Sequence, residues 1–128
     1  MANPAPGFKR HPDHRITVEP YGRTVTVRFG NTVIASSDEA LELREARYPP
    51  VVYVPFNDIY FEHLKESDTR TYCPFKGDAS YWSVSAQGEA ENDVMWAYQT
   101  PYDEMASIRN HGAFYPDRVT IETSPGEE

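Results

Sequence analysis

The sequence has few of the residues that mark several large classes of protein. The chain of 128 residues contains one cysteine, Cys73, so it can form no internal disulfide and no cysteine-rich zinc site. No apolar run reaches the roughly 18 residues that a membrane-spanning helix needs, and residues 1–7 lack the apolar run of a secretory signal. We therefore expect a cytoplasmic protein that does not contact a membrane and holds no metal.

Motifs for phosphate chemistry and for serine-based catalysis are also missing. The sequence contains no glycine-rich phosphate loop, no Asp-x-Asp pair and no nucleophile elbow centred on serine. Nucleotidyl transfer normally uses a divalent ion that carboxylates hold. The sequence therefore predicts no cofactor and gives no support to nucleotide transfer.

Positive charge is scarce over most of the chain. The formal net charge is −8, but residues 1–30 carry five basic and two acidic side chains, whereas residues 31–128 carry seven and 18. An acidic surface repels phosphate backbones, so we expect no nucleic-acid partner. The basic beginning is interpreted as a solvated terminus.

What the sequence does contain is a long region in which apolar and polar residues alternate. Residues 1–14, with three prolines, and residues 124–128 are expected to be flexible tails around a single domain, 15–123. Alternation predicts a hairpin of strands 24–29 and 32–35 around Gly30-Asn31. Further strands are predicted at 51–54, 79–86, 94–98, 113–115 and 119–123.

The remaining segments are less regular. Residues 40–43 and 59–64 fit either a strand or a short helix, and residues 69–78 are expected to form a loop. Pro101 and the acidic pair after it predict a helix over residues 102–110. Together these patterns indicate a mainly antiparallel β domain with one or two short helices.

One segment brings the lone thiol close to a positive charge. Lys76 follows Cys73 by three residues, and an ammonium group can stabilise a reactive thiolate. The alternative is that Cys73 is a small buried apolar residue and that Lys76 is a surface charge. No base is placed beside Cys73 by the sequence, although His63 and His111 are candidates; His11 and His14 lie in the expected tail and are given no role.

The sequence also places many aromatic residues on predicted strands. Such side chains can wall a pocket through stacking and cation–π contacts, although plain core packing is the more common role. Asp58 and Thr71 are candidate hydrogen-bonding groups near them, while helix capping or turn formation is the simpler role for Asp58. The aromatic candidates for a pocket wall are Tyr53, Tyr81, Trp82, Trp96 and Tyr98.

These segments together resemble a known family. Residues 48–55 read Tyr-Pro-Pro-Val-Val-Tyr-Val-Pro, residues 71–77 read Thr-Tyr-Cys-Pro-Phe-Lys-Gly, and Ala-Ser-Tyr-Trp and Trp-Ala-Tyr follow at 79–82 and 96–98. This pattern resembles domain of unknown function 427, over about residues 15–123. The resemblance implies a β-tent-like fold, in which two antiparallel sheets meet at an angle. Several proteins of that fold hold zinc on four cysteines, which one cysteine cannot supply.

Three hypotheses about function remain open. The first is a module that binds a small molecule beside residues 73–76, with the pocket aromatics as walls, Thr71 and Asp58 as hydrogen-bonding groups, and Lys76 offering its positive charge to an anionic group of the ligand. The second is an enzyme that uses Cys73, with Lys76, as nucleophile or redox thiol. The third is an interaction domain without a site, which dimerises through an exposed sheet edge; the chain is accordingly expected to be a monomer or a homodimer.

Overall fold

The fold consists almost entirely of short antiparallel strands. The computed structural model describes residues 2–124. Three 3₁₀ turns, Phe56–Asp58, Phe61–His63 and Asp103–Ile108, interrupt the strands. In chain order, the other elements are α1 Pro6–Arg10, β1 Ile16–Pro20, β2 Val25–Phe29, β3 Thr32–Ser37, β4 Leu41–Glu45, β5 Val51–Pro55, β6 Leu64–Cys73, β7 Gly77–Ala86, β8 Glu89–Ala97, β9 His111–Phe114 and β10 Thr120–Thr123.

The strands form two antiparallel sheets. The larger sheet has seven strands in the order β1-β4-β5-β9-β8-β7-β6, and the smaller sheet has three in the order β10-β2-β3. The prediction of a mainly β fold with two antiparallel sheets and only short helices is confirmed. Residues 40–43 and 59–64 are also settled: the first segment enters strand β4, and the second contains the 3₁₀ turn Phe61–His63 between a bridge at Ile59 and the first residue of β6, Leu64.

The predicted hairpin is the clearest success of the alternation pattern. Strands β2 and β3 pair from Val25 opposite Ser37 to Phe29 opposite Thr32. Val25 and Val27 are buried, as period-two spacing requires of a half-buried strand. Gly30 makes the turn at φ 60°, a conformation that glycine adopts without steric cost.

The predicted loop at residues 69–78 is wrong. Strand β6 runs through residue 73 and β7 begins at Gly77, so only residues 74–76 form the turn. Six of the ten residues of β6 are exposed, among them Lys65 and Arg70. Such an edge strand has no buried face, and therefore no apolar alternation by which the sequence could reveal it. Strand β1, at the opposite edge of the sheet, was also missed, although Ile16 and Val18 alternate with polar residues and pack against the core.

The predicted helix at residues 102–110 is also wrong. This segment forms 3₁₀ turns, and Met105 has non-helical angles of φ −113° and ψ 20°. Its first residues bond outward: the amide of Tyr102 donates to the Lys76 carbonyl, and the amide of Asp103 donates to the Asn3 carbonyl. The Met105 amide then donates to the Tyr102 carbonyl three residues back, which is the 3₁₀ pattern.

Residues 2–14 are packed against the domain instead of forming the expected tail. Helix α1 places Gly7 against the β6–β7 turn, where its amide donates to the Pro74 carbonyl at 2.9 Å. Ala5 is 1% exposed, and its amide donates to the Glu104 carboxylate. Prolines at the beginning of the segment did not prevent the helix, because proline fits a first helical turn. The expected tail at 124–128 lies, apart from Ser124, outside the described residues.

Two apolar clusters organise the interior. The first lies between the sheets and joins Val25 and Ile34 of the smaller sheet to residues of the larger one such as Trp82. The second collects larger-sheet residues, including Tyr53 and Tyr98, with residues of the 3₁₀ segment at 103–108. Residues that follow one another on β7 belong to different clusters, as the pleat of a strand dictates.

Candidate functional site

A cleft of about 630 Å³ borders both clusters. Most of the lining side chains are apolar, and two carry charge. The loop between β4 and β5 contributes Tyr48 and two prolines. The aromatic residues of the lining are Tyr21, Tyr48, Tyr53, Trp96, Tyr98 and Phe114, and the charged residues are Glu45 and Lys76.

Strand register explains why two of these aromatic side chains meet. Trp96 on β8 lies opposite Tyr81 on β7 and opposite Ala113 on β9. Val54 pairs with Gly112, so the antiparallel register places Tyr53 on β5 beside Ala113. The small alanine lets the Tyr53 and Trp96 rings approach across it, edge to face at 80° with centroids 6.4 Å apart.

A nearly buried ion pair forms the charged part of the cleft. The Lys76 Nζ donates to Glu45 Oε1 at 2.6 Å, and the Lys76 side chain is only 8% exposed. The other oxygen of the same carboxylate, Oε2, lies 2.7 Å from His14 Nε2. The His14 ring stacks on Phe75, with centroids 4.0 Å apart and an interplanar angle of 18°.

These contacts act in opposite directions on the Glu45 carboxyl. Burial alone would raise the pKa of Glu45, but the hydrogen bonds and charges of Lys76 and His14 outweigh it and hold this pKa below its ordinary value. Glu45 is therefore ionised at neutral pH. Because it neutralises Lys76, the cleft holds a paired cation and not a free one.

Sequence reasoning missed Glu45, the partner of Lys76, and His14, the second partner of Glu45. Glu45 lies 31 residues before Lys76 and 31 residues after His14, and no local pattern links positions so far apart. His14 had been given no role because residues 1–14 were expected to be a tail. The only signal in the sequence is that Glu45 ends an apolar-rich stretch, which is too weak to indicate a partner.

Cys73 lies next to this pair and is partly buried. Its Sγ is 3.8 Å from the Lys76 Nζ, and its side chain packs against the second apolar cluster. The three-residue spacing that drew attention to the two residues therefore corresponds to a contact across the β6–β7 turn.

Of the other candidate residues, some line the cleft and some lie in other parts of the structure. Tyr53, Lys76, Trp96 and Tyr98 line the cleft together. Tyr81 supports Trp96 as its cross-strand neighbour, and the Tyr81 hydroxyl lies 2.9 Å from the hydroxyl of exposed Thr71.

Trp82 and Asp58 lie elsewhere. Trp82 packs edge to face against Phe56 and Phe61 in the first cluster. Asp58 accepts a hydrogen bond from Ser37 at 2.5 Å, in a separate polar depression. His63 sits in a 3₁₀ turn, and His111 Nδ1 is bonded to the Arg109 carbonyl. Among residues 2–124 neither histidine forms a hydrogen bond with Cys73, which contacts Lys76.

Residues 2–124 contain neither a cluster of metal ligands nor a membrane-spanning helix. No group of three or more His, Cys, Asp or Glu side chains in this range is arranged to hold a metal ion. No helix in this range is long and apolar enough to cross a membrane.

Fold and cleft together define a small two-sheet β protein with an aromatic-walled cleft that contains a buried lysine–glutamate pair. A family model described as Domain of unknown function (DUF427) matches residues 17–125, and the chain belongs to that family. The resemblance found in the sequence is thereby confirmed. A comparison with curated proteins found no match.

Proposed function

We propose that this protein binds a small, largely apolar, ring-bearing molecule in the cleft. The cleft itself carries the proposal: its volume of about 630 Å³ falls within the range typical of ligand sites, roughly 300–1,000 Å³. Such sites combine apolar walls with a few fixed polar groups. Here the walls include Tyr53 and Trp96, and Lys76 and Glu45 are the fixed polar groups. As the sequence led us to expect, we propose a cytoplasmic setting for this activity.

The aromatic walls favour a flat ligand. Offset and edge-to-face ring contacts add about 0.5–1.5 kcal/mol to the burial of each ring. Trp96 is partly exposed towards the cleft, and its other neighbours, Tyr53 and Tyr115, hold the indole in place. A rigid aromatic wall loses little conformational entropy when a ligand binds.

The two tryptophans provide a matched experiment. N-Phenyl-1-naphthylamine, an uncharged dye that fluoresces in apolar surroundings, serves as the probe. Trp82→Phe changes a side chain of the other cluster and leaves Trp96 in the cleft, so we expect the dye to bind as tightly as it binds to the wild-type protein. Trp96→Phe removes the indole that lines the cleft, and we expect weaker dye binding, measured by titration of the dye fluorescence.

Two outcomes would overturn the proposal. One is the absence of dye binding to the wild-type protein together with no thermal shift from any compound of a metabolite library. The other is equal affinity of Trp82→Phe and Trp96→Phe for the dye, which would place the dye outside the cleft. Lys76→Ala and Trp96→Ala are then used to test each compound that shifts the melting temperature, and both should reduce the shift.

The contact between Lys76 and Cys73 favours a second candidate, a thiol-dependent enzyme. The ammonium group 3.8 Å from the Sγ would stabilise a thiolate. We then expect iodoacetamide to label Cys73 faster than a free thiol at pH 7, and Lys76→Met to slow the labelling. A wild-type labelling rate that matches a free thiol, unchanged in the variant, would remove this candidate.

A further inference from the structure

The Tyr98 hydroxyl is a polar group of the aromatic wall that has no hydrogen-bond partner among residues 2–124 and is not fully sealed from solvent. Tyr98 is 8% exposed and lines the cleft. Its hydroxyl has no hydrogen-bond partner among residues 2–124, whereas every fully buried side-chain nitrogen or oxygen in this range has one. The hydroxyl therefore retains access to solvent through the cleft.

This hydroxyl is a donor at neutral pH. Burial raises the pKa of Tyr98 well above its ordinary value, and the nearby hydroxyl of Tyr53 and the charge of Glu45 act in the same direction. A phenol that keeps its proton in a poorly solvated site offers it to an acceptor. Leaving such a donor without a partner in a bound complex costs free energy.

The charges beside Tyr98 decide which acceptor fits. Lys76 donates one hydrogen bond to Glu45 and contacts Cys73, so one of its three N–H groups is still available. The Lys76–Glu45 pair has no net charge. A ligand carboxylate would bring an unpaired negative charge into an apolar cleft and close to Glu45, which is unfavourable.

We infer that the ligand carries an uncharged carbonyl-type oxygen that accepts hydrogen bonds from Tyr98 and Lys76. This inference rests on the proposed function and specifies the chemical class of ligand for the same cleft. Apolar rings of the ligand would then lie against Trp96, with the oxygen directed to the polar groups.

Three naphthalenes of similar size test this inference by equilibrium dialysis. They are 2-acetylnaphthalene, which carries an uncharged carbonyl, 2-ethylnaphthalene, which lacks it, and 2-naphthoate, which is an anion. We expect the ketone to bind at least about fivefold more tightly than the hydrocarbon, since one hydrogen bond alone has that effect, and the anion to bind more weakly than the ketone. Tyr98→Phe should reduce the preference for the ketone by about fivefold, because Lys76 still donates, and leave binding of the hydrocarbon unchanged.

A second tyrosine provides the control. Tyr102 lies outside the cleft lining and its hydroxyl is bonded to that of Tyr72 at 2.7 Å, so Tyr102→Phe should leave all three affinities unchanged. Equal binding of ketone and hydrocarbon, or tightest binding of the anion, would overturn the inference and leave the proposed function intact. Failure of all three probes to bind would count against the proposed function as well.

Discussion

Among single side chains, Lys76 has the surroundings that are most sensitive to substitution. Its charge is compensated by one carboxylate, which His14 shares. Removal of one partner from a buried ion pair leaves an uncompensated charge, whereas replacement of both by apolar groups is often tolerated. The pair therefore makes the stability of the protein depend on both residues jointly.

We predict that Lys76→Met destabilises the protein by about 3 kcal/mol, while Lys76→Met combined with Glu45→Leu destabilises it less. The single variant leaves the Glu45 carboxylate in an apolar cleft with His14 as its only remaining partner. Urea denaturation at pH 7 measures both free energies of unfolding. Equal losses in the single and the double variant would contradict the prediction, and Lys65→Met, at an exposed position of β6, serves as the control.

The lowered pKa of Glu45 also predicts how stability depends on pH. Its folded-state pKa lies below the model-compound value of 4.5, so its contribution is present above that value and is lost as the pH falls through the folded-state pKa. We expect Glu45→Gln to be less stable than wild type at pH 7 and the difference to shrink as the pH falls below about 4.5. Denaturation at pH 7, 5, 4 and 3 measures it, and a constant difference would contradict the prediction.

Among the elements, helix α1 and the β6–β7 turn form one packed unit. A Cβ atom at Gly7 would lie 2.7 Å from Phe75 Cδ1 and 2.9 Å from the Pro74 carbonyl oxygen. Glycine at this position therefore permits close approach of the two backbones. The Phe75 ring then stacks on His14, so the same unit orients one partner of Glu45.

We predict that Gly7→Val displaces α1 while the sheets stay folded. The clash at Pro74 involves backbone and cannot be relieved by rotation of a side chain. Hydrogen exchange should become faster in residues 3–14 and in the turn at 74–76, with the hairpin of β2 and β3 unaffected. Lys9→Val, at an exposed position of the same helix, is the matched control, and unchanged exchange at 3–14 in Gly7→Val would contradict the prediction.

Whether an element could be predicted from the sequence depends on whether it has a buried face. Strands with a buried face, such as Val25–Phe29, could be predicted because burial imposes alternation on the sequence. The edge strand Leu64–Cys73 could not, since most of its residues are exposed. In the cleft, the aromatic wall could be predicted in part because Trp96 and Tyr98 are spaced for one face. The pairing of Glu45 with Lys76 could not, because it depends on tertiary contacts between remote positions.

For the molecule as a whole, the exposed sheet edges bear on the hypothesis of dimerisation. Among residues 2–124 each edge strand has a feature that hinders pairing with another chain. Strand β1 ends in Pro20, β10 has four residues, and the segment after β5 covers β3 through a bridge between Ile59 and Ala35. Strand β6 is the longest edge, with charged exposed residues and a register shift between Glu66 and Arg70.

We predict a monomer, because these edges are protected and the net charge of −8 adds repulsion between copies. Sedimentation velocity from about 5 to 200 µM should give a constant coefficient at physiological salt, a range that would reveal the micromolar affinities of weak dimers. Lys65→Thr combined with Glu66→Thr removes two opposite charges from the β6 edge, leaves the net charge unchanged and favours β pairing there, so this variant should associate as concentration rises. Lys9→Thr combined with Asp13→Thr removes the same charges from exposed positions at the beginning of the chain and should stay monomeric. A wild-type coefficient that rises over this range would contradict the prediction and would favour dimerisation as the role of the fold.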